Sequence, residues 1–243
     1  MPVIEAKLLQ AACARILHAI YEQEFLGCRD GYRPGRGAGE AVRDLTLDWQ
    51  DGRYGYVVEA DMKGFFDHMD HDWRLKMLAL RIDDRALLGL IRKWLKAGML
   101  ETDGRVLHPD TGVPQGGVVS PVVAHVYWHD ALDRWCEKVV KPHCRGEALI
   151  SRYADDLVCA FRFRRDAEWF YQALPQRLGK FKLEVASEKT RILRFSRFHP
   201  GMTRRFTFLG FEFYWTEDRQ GVPRVKRRTA RKTLQSACHR SKE

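Results

Sequence analysis

The sequence predicts an α+β fold, and three observations carry that reading. A short strand rich in β-branched and aromatic residues, YGYVVEAD (54–61), follows a helical N-terminal third. LISRYADDLVCAF (149–161) reads as two short strands joined near Ala154–Asp156, which makes the pair antiparallel. Helix-spaced segments separate these strands, and mixing of this kind indicates α+β packing.

Taken in order, residues 4–25 place Leu9, Ala12, Cys13, Ile16, Leu17, Ile20 and Tyr21 at helical spacing. A Gly/Pro-rich break follows at 27–40, and Ala41–Trp49 reads as a second helix. Residues 72–100 read as largely helical, with Trp73, Met77 and Leu80 on one face. Gly104–Gln115 is turn-rich. Ser120-Pro121 predicts a helix start, with Ser as the N-cap and Pro in the first turn, and Val122, Val123, Val126, Tyr127, Leu132 and Trp135 continue that helix. Asp166–Phe181 reads as a helix, Phe206–Trp215 as one alternating strand, and a short basic helix is expected to close the chain.

Composition narrows the class. Of 243 residues 45% are apolar and 30% charged, which excludes wholesale disorder. No stretch approaches the ~20 apolar residues of a membrane span, and Met1–Gln10 has no apolar signal core, so no membrane partner and a cytoplasmic location are expected. The six cysteines are scattered, with no Cys-x-x-Cys, and are read as free thiols. The spacing of His129, Cys136, His143 and Cys144 fits no paired zinc pattern. The net charge is +10, and residues 222–243 alone contribute +7, which suits contact with a polyanion.

The chemistry gathers on carboxylates. Asp155 and Asp156 sit at an expected hairpin tip among apolar strand residues, where two like charges repel unless a cation joins them. A hard divalent cation with oxygen ligands suits that position. Asp61 ends the strand at 54–61 and can face the tip from a neighbouring strand. Taken singly, Asp155-Asp156 also suits a plain turn and Asp61 a helix cap.

Five blocks share an order and spacing: DMKGFFDHMDHD (61–72), GVPQGGVVSPVVAHVYWHDALDRW (112–135), RYADDLV (152–158), EKTRILRF (188–195) and FTFLGFEF (206–213). With GYRPGRGAGEAV (31–42), this set resembles the reverse transcriptases, and most of all the bacterial group II intron type. The resemblance runs from about Pro2 to Arg231.

The resemblance implies a fold and a set of roles. The fold would be a palm, an antiparallel sheet backed by helices, with partial helical fingers. Residues 1–53 would be partial fingers, 54–78 and 112–221 the two parts of the palm, 79–111 a fingers return segment, and 222–243 a basic tail that starts the thumb. Asp61, Asp155 and Asp156 would be catalytic and would hold two Mg²⁺ or Mn²⁺ ions. Phe66 would exclude a 2′-hydroxyl, Gln115 and Gly116 would lie at the nascent base pair, and Lys189 would neutralise phosphate charge. Arg33, Arg36, Tyr153, Leu209, Gly210, Arg227, Arg228 and Arg231 would contact nucleic acid, and Phe208–Phe211 resembles a hairpin that positions the primer end, an edge strand being the alternative. The implied partners are an RNA template, a DNA or RNA primer, dNTPs and intron RNA, in a bacterial cytoplasm. Against the family pattern the chain is expected to be truncated at both ends, which leaves a place for a partner chain supplying fingers and thumb. The competing reading is a non-catalytic or partner-dependent remnant that binds RNA or DNA through the basic tail.

Overall fold

The computed structural model describes residues 4–23, 37–96, 99–100, 106–107, 117–199, 201–231 and 234. The chain divides into two compact units, one of residues 1–26, 63–135 and 176–184, the other of residues 27–62, 136–175 and 185–243.

The first unit is mainly helical. Helix α1 (Ile4–Tyr21) buries Cys13, Leu17 and Tyr21 of the expected face together with Gln10 and Ala14, whereas Leu9, Ala12 and Ile16 are exposed, because the buried stripe is narrower and turned toward Gln10 and Ala14. The second unit begins its described part with α2 (Ala38–Asp51), which buries Ala41, Val42, Leu45 and Trp49. The Glu40 side chain accepts the Gly37 N–H at 2.9 Å and so closes the helix start. Strand β1 (Tyr56–Ala60) follows.

Back in the first unit, α3 (Phe65–His68) places Phe65 in a stack on Trp128, with ring centroids 4.5 Å apart. The expected helical run over 72–100 is two helices, α4 (His71–Ala79) and α5 (Arg85–Lys96). Asp70 caps α4 by accepting the Trp73 N–H, and Asp84 accepts those of Ala86 and Leu87 at the start of α5. Leu80 falls in the break between them and is 60% exposed, so it does not share the buried face with Met77. Two short strands, β2 (Met99–Leu100) and β3 (Val106–Leu107), pair antiparallel. The rest of the turn-rich stretch 104–115 lies outside the described residues.

Helix α6 (Ser120–Trp128) starts one residue earlier than expected. The Val123 N–H bonds to the Val119 carbonyl, so Val119 is the cap, Ser120 the first helical residue and Pro121 the second. The helix continues through π-helical turns at His129–Asp133 and Cys136–Val140 into α7 (Lys141–His143). A π turn leaves carbonyls without their usual partners, and Arg177 donates to those of Asp130 and Ala131 at 2.8 and 2.7 Å.

The second unit holds the two larger sheets. Strands β4 (Ala148–Tyr153) and β5 (Asp156–Phe161) form the expected hairpin. Helix α8 (Arg164–Gly179) follows, then β6 (Arg191–Arg194). The sheet order is β4-β5-β1-β6, antiparallel throughout. One face of this sheet rests on α8, where Phe161 meets Phe170 at 5.2 Å.

The other face carries Val57, Val158 and Ala160 into an aromatic core with Trp49, Phe195, Phe206, Phe213 and Trp215. A second sheet of β7 (Gly201–Phe208), β8 (Phe211–Glu217) and β9 (Pro223–Thr229) contributes to that core. Residues 206–215 are therefore a hairpin and not one strand. Leu209 and Gly210 both have positive φ, 51° and 76°, the backbone of a two-residue turn between twisted strands. The expected closing basic helix follows β9: Arg231 and Leu234 are helical, the Leu234 N–H bonds to the Ala230 carbonyl, and the other residues beyond Arg231 lie outside the described residues. Residues 223–229 form β9, because Gln50 of α2 bonds the Pro223 carbonyl and the Val225 N–H, and Val225 points into the core.

The described cysteines Cys13, Cys136, Cys144 and Cys159 are free, as expected. No described helix is long and apolar enough to cross a membrane.

Candidate active site

Sheet register brings the three predicted acids to one edge. The β1–β5 ladder ends at Ala60↔Leu157, so Asp61 is the next residue of β1 and Asp156 the next of β5. Asp155 occupies the two-residue turn between Tyr153 and Asp156. Ala154 in that turn has φ 55°, and the buried Arg152 guanidinium donates to its carbonyl at 3.1 Å. The fixed turn presents both carboxylates beside the end of β1.

Asp61 is held at backbone and side chain. Its carbonyl accepts the Ala186 N–H at 2.8 Å. The Ala186 carbonyl accepts the Lys189 N–H, and this turn swings Lys189 Nζ to 2.8 Å from Asp61 Oδ2. Hydrogen bonding to Asp61 and its charge raise the Lys189 pKa, so the ammonium stays charged. The Lys189 side chain is largely in water and that of Asp61 partly so, and an ion pair this open to solvent is weak.

Asp156 shows the electrostatic cost of the cluster. Partial desolvation, then the charges of Asp155 and Asp61, push its carboxyl up to about 6, against the opposing effect of a hydrogen bond from the Leu209 N–H. That donor belongs to the β7–β8 turn, so the predicted Leu209-Gly210 segment reaches the acidic edge. The Gly210 carbonyl in turn accepts the Ala230 N–H at 2.8 Å.

The donor set fits hard divalent cations. Three carboxylates share one edge, and one of them is destabilised by the other two. As the side chains stand, with Asp61 on Lys189, no group of three His, Cys, Asp or Glu among the described residues is arranged to hold a metal ion. A cleft of about 610 Å³ opens over this edge, and its lining includes Asp61, Asp156, Lys189, Arg191 and Arg231.

The remaining predicted residues are placed as follows. Tyr153 ends β4 and packs against the aromatic core. Arg227 donates to Thr46, and Arg228 to Glu212 while lying 5.6 Å over the Tyr214 ring, so both are engaged within the chain. Arg231 is exposed on the cleft. Phe66 is half-buried in α3 of the first unit, edge-on to Phe65. Gln115, Gly116, Arg33 and Arg36 lie outside the described residues.

Sequence reasoning missed Glu59. It lies two residues before Asp61 on the same face of β1 and accepts both the Arg191 guanidinium and, at 2.6 Å, the Thr207 N–H. It thereby ties β6 and β7 to the strand that carries Asp61. The only signal was a carboxylate interrupting the apolar run YVVEA.

An expected result follows from the raised Asp156. A carboxyl whose folded pKa lies above its unfolded value of about 3.9 costs stability as pH rises through that window to about 6, and the cost is complete above it. Asp156→Asn removes the charge and keeps an acceptor for Leu209. Discounted for solvent screening, it stabilises the fold by about 1 kcal/mol at pH 7.5 and by nearly nothing at pH 4. Urea unfolding at the two pH values checks this; equal midpoints for variant and wild type at pH 7.5 would contradict it.

An antiparallel four-stranded sheet backed by helices, with carboxylates at the edge where β1 and β5 end, defines a palm of the nucleotidyl-transfer class. Residues 1–213 match the family described as reverse transcriptase (RNA-dependent DNA polymerase), and the chain belongs to that family. It is 37% identical over 135 residues to the group II intron-encoded protein LtrA of Lactococcus lactis subsp. cremoris, covering 56% of this chain and 22% of LtrA. It is 26% identical over 255 residues to protein YkfC of Escherichia coli K12, covering 93% of this chain and 65% of YkfC. The fold is shared with apo telomerase from Candida tropicalis truncated from its C-terminal domain, at TM-score 0.63 and 14% identity, over 86% of this chain and 44% of that one. The reverse-transcriptase family expected from the motifs is therefore the family found, and the relative at 37% identity is a group II intron-encoded protein.

Proposed function

We propose that this domain is an RNA-directed DNA polymerase that extends a DNA or RNA primer with dNTPs on an RNA template, in a bacterial cytoplasm. The observation that carries the reading is the convergence of Asp61, Asp155 and Asp156 on one sheet edge, felt in the raised Asp156. These carboxylates would hold two divalent cations, Mg²⁺ or Mn²⁺. When bound, the cations supply acidification of the primer 3′-hydroxyl and neutralisation of the triphosphate.

The chain's own groups do the rest. Lys189, whose ammonium lies 2.8 Å from Asp61, would neutralise phosphate charge at the same edge. The rigid Leu209-Gly210 turn seats the primer end beside Asp156. The Phe66 ring excludes a 2′-hydroxyl by volume. Gln115 and Gly116 flank the nascent base pair, Tyr153 supports the strand behind Asp155, and Arg33, Arg36 and Arg231 take template or primer phosphates. In this reading 54–78 and 112–221 serve as palm and 1–53 and 79–111 as fingers, and intron RNA and a partner chain completing the grip are further ligands.

Arg228 pairs with Glu212, whereas Arg227 donates to the neutral Thr46 hydroxyl and keeps its charge, so the test must separate polymerisation from binding by the basic tail. Primer extension on an RNA template with and without EDTA tests the proposal. Extension that stops on chelation and returns with Mg²⁺ is expected. No extension in any divalent cation, with primer–template demonstrably bound, would favour the binding-only remnant.

A further inference from the structure

A second cavity, of about 400 Å³, opens at the other end of the same four-stranded sheet. It lies where Tyr56 begins β1 opposite Phe161 and Arg194. Asp61 is five residues further along that strand, roughly 17 Å away at the ordinary rise of a β-strand.

The lining is unusual in its charge. Arg53, Arg162, Arg194, Arg197 and His199 all contribute, and among the described residues no carboxylate does. Arg197 donates to the carbonyls of Gln50, Asp51 and Gly52 at the C-terminus of α2, and Arg194 lies 2.9 Å from the His199 ring. These contacts hold the two guanidiniums in place without neutralising them by an acid. Arg53 and Arg162 are exposed, and Arg162 lies 5.3 Å over the Phe163 ring.

Aromatic rings interleave with these cations. Tyr54, Tyr56, Phe163 and Phe198 line the same cavity, and Phe198 is 82% exposed, a surface that ordinary packing would bury. Burial, then the Asp48 and Glu147 carboxylates, push the Tyr54 phenol up to about 12, so it remains a neutral ring. Gly55 admits no side chain, because a Cβ there would sit 2.9 Å from the Arg162 carbonyl oxygen. Guanidiniums for phosphates beside flat rings for bases are the chemistry of single-stranded nucleic acid binding; a duplex hides its bases from such rings.

We infer that this basic, aromatic cavity is a second nucleic-acid site, binding single-stranded RNA or DNA at the end of the sheet away from the acids. It anchors a strand without touching the reacting atoms.

The test is binding of a fluorescent 12-nucleotide single strand, as RNA and as DNA, to the whole chain over a range of salt. Arg53→Ala/Arg162→Ala is expected to weaken binding about tenfold and to lower the salt slope by about 1.4, the value for two phosphate contacts on a single strand. Arg53→Lys/Arg162→Lys is expected to keep the slope. Unchanged affinity and slope in the alanine variant would overturn the inference, as would displacement by inorganic tripolyphosphate at equal phosphate concentration or no binding by wild type. Independently of variant folding, 4-thiouridine RNA is expected to cross-link to wild-type peptides carrying Tyr54, Phe163 or Phe198. Cross-links confined to peptides around Asp61 and Asp155 would overturn the inference and leave the polymerase reading intact.

Discussion

Asp155→Ala is expected to slow primer extension about a thousandfold, equivalent to about 4 kcal/mol of lost transition-state stabilisation. The same substitution is expected to change unfolding free energy by less than about 0.5 kcal/mol. Asp155 lies in the β4–β5 turn, whose shape rests on the Arg152 contact to the Ala154 carbonyl and on the flanking strand pairs. Its carboxylate repels that of Asp156, so removing it leaves no buried partner stranded. A large loss of rate without loss of fold marks a group kept for chemistry. Single-turnover extension with saturating primer–template, beside urea unfolding of the same preparation, checks both halves. Equal extension by variant and wild type would remove Asp155 from the mechanism.

Trp49→Ala carries the largest expected effect on stability, a loss of about 3–5 kcal/mol. Trp49 is 1% exposed and meets Phe195 at 4.7 Å, Tyr54 at 5.3 Å and Phe206 at 5.5 Å. Its indole N–H has no hydrogen-bond partner among the described residues, so the loss is packing and buried apolar area. Phe206 belongs to β7, whose turn carries the Leu209 N–H to Asp156, so a loosened core also loosens the turn at the acidic edge. Trp49→Phe is expected to retain most of the stability. Denaturant unfolding decides it; a loss below about 1 kcal/mol would show that the second sheet is seated by something other than this ring.

Much of the site was legible because its members are local. Asp155 and Asp156 are neighbours in a turn between two apolar strands, and a hairpin can be read from the residues that make it. Asp61 was legible as the carboxylate closing a β-branched run. Where two structures share one pattern, reading failed. FTFLGFEFYW alternates equally well as one strand or as a hairpin, and only the positive φ of Leu209 and Gly210 separates them. The strand at 223–229 went unread in a segment marked only by its charge, because pairing with β8 and the Gln50 clamp depend on distant segments. Leu80 looked like a core residue until Asp84 began a new helix behind it.

The amino-acid order alone determined the periodicities, the turn carrying two acids and the family motifs, since these depend on neighbours a few residues apart. Tertiary structure decided that Asp61 stands beside Asp156, that Lys189 occupies Asp61, and that Glu59 ties β6 and β7 to β1. Those contacts join residues about 95 to 150 positions apart, and an interaction over such a separation exists only once sheet register and core packing have brought both partners to one place.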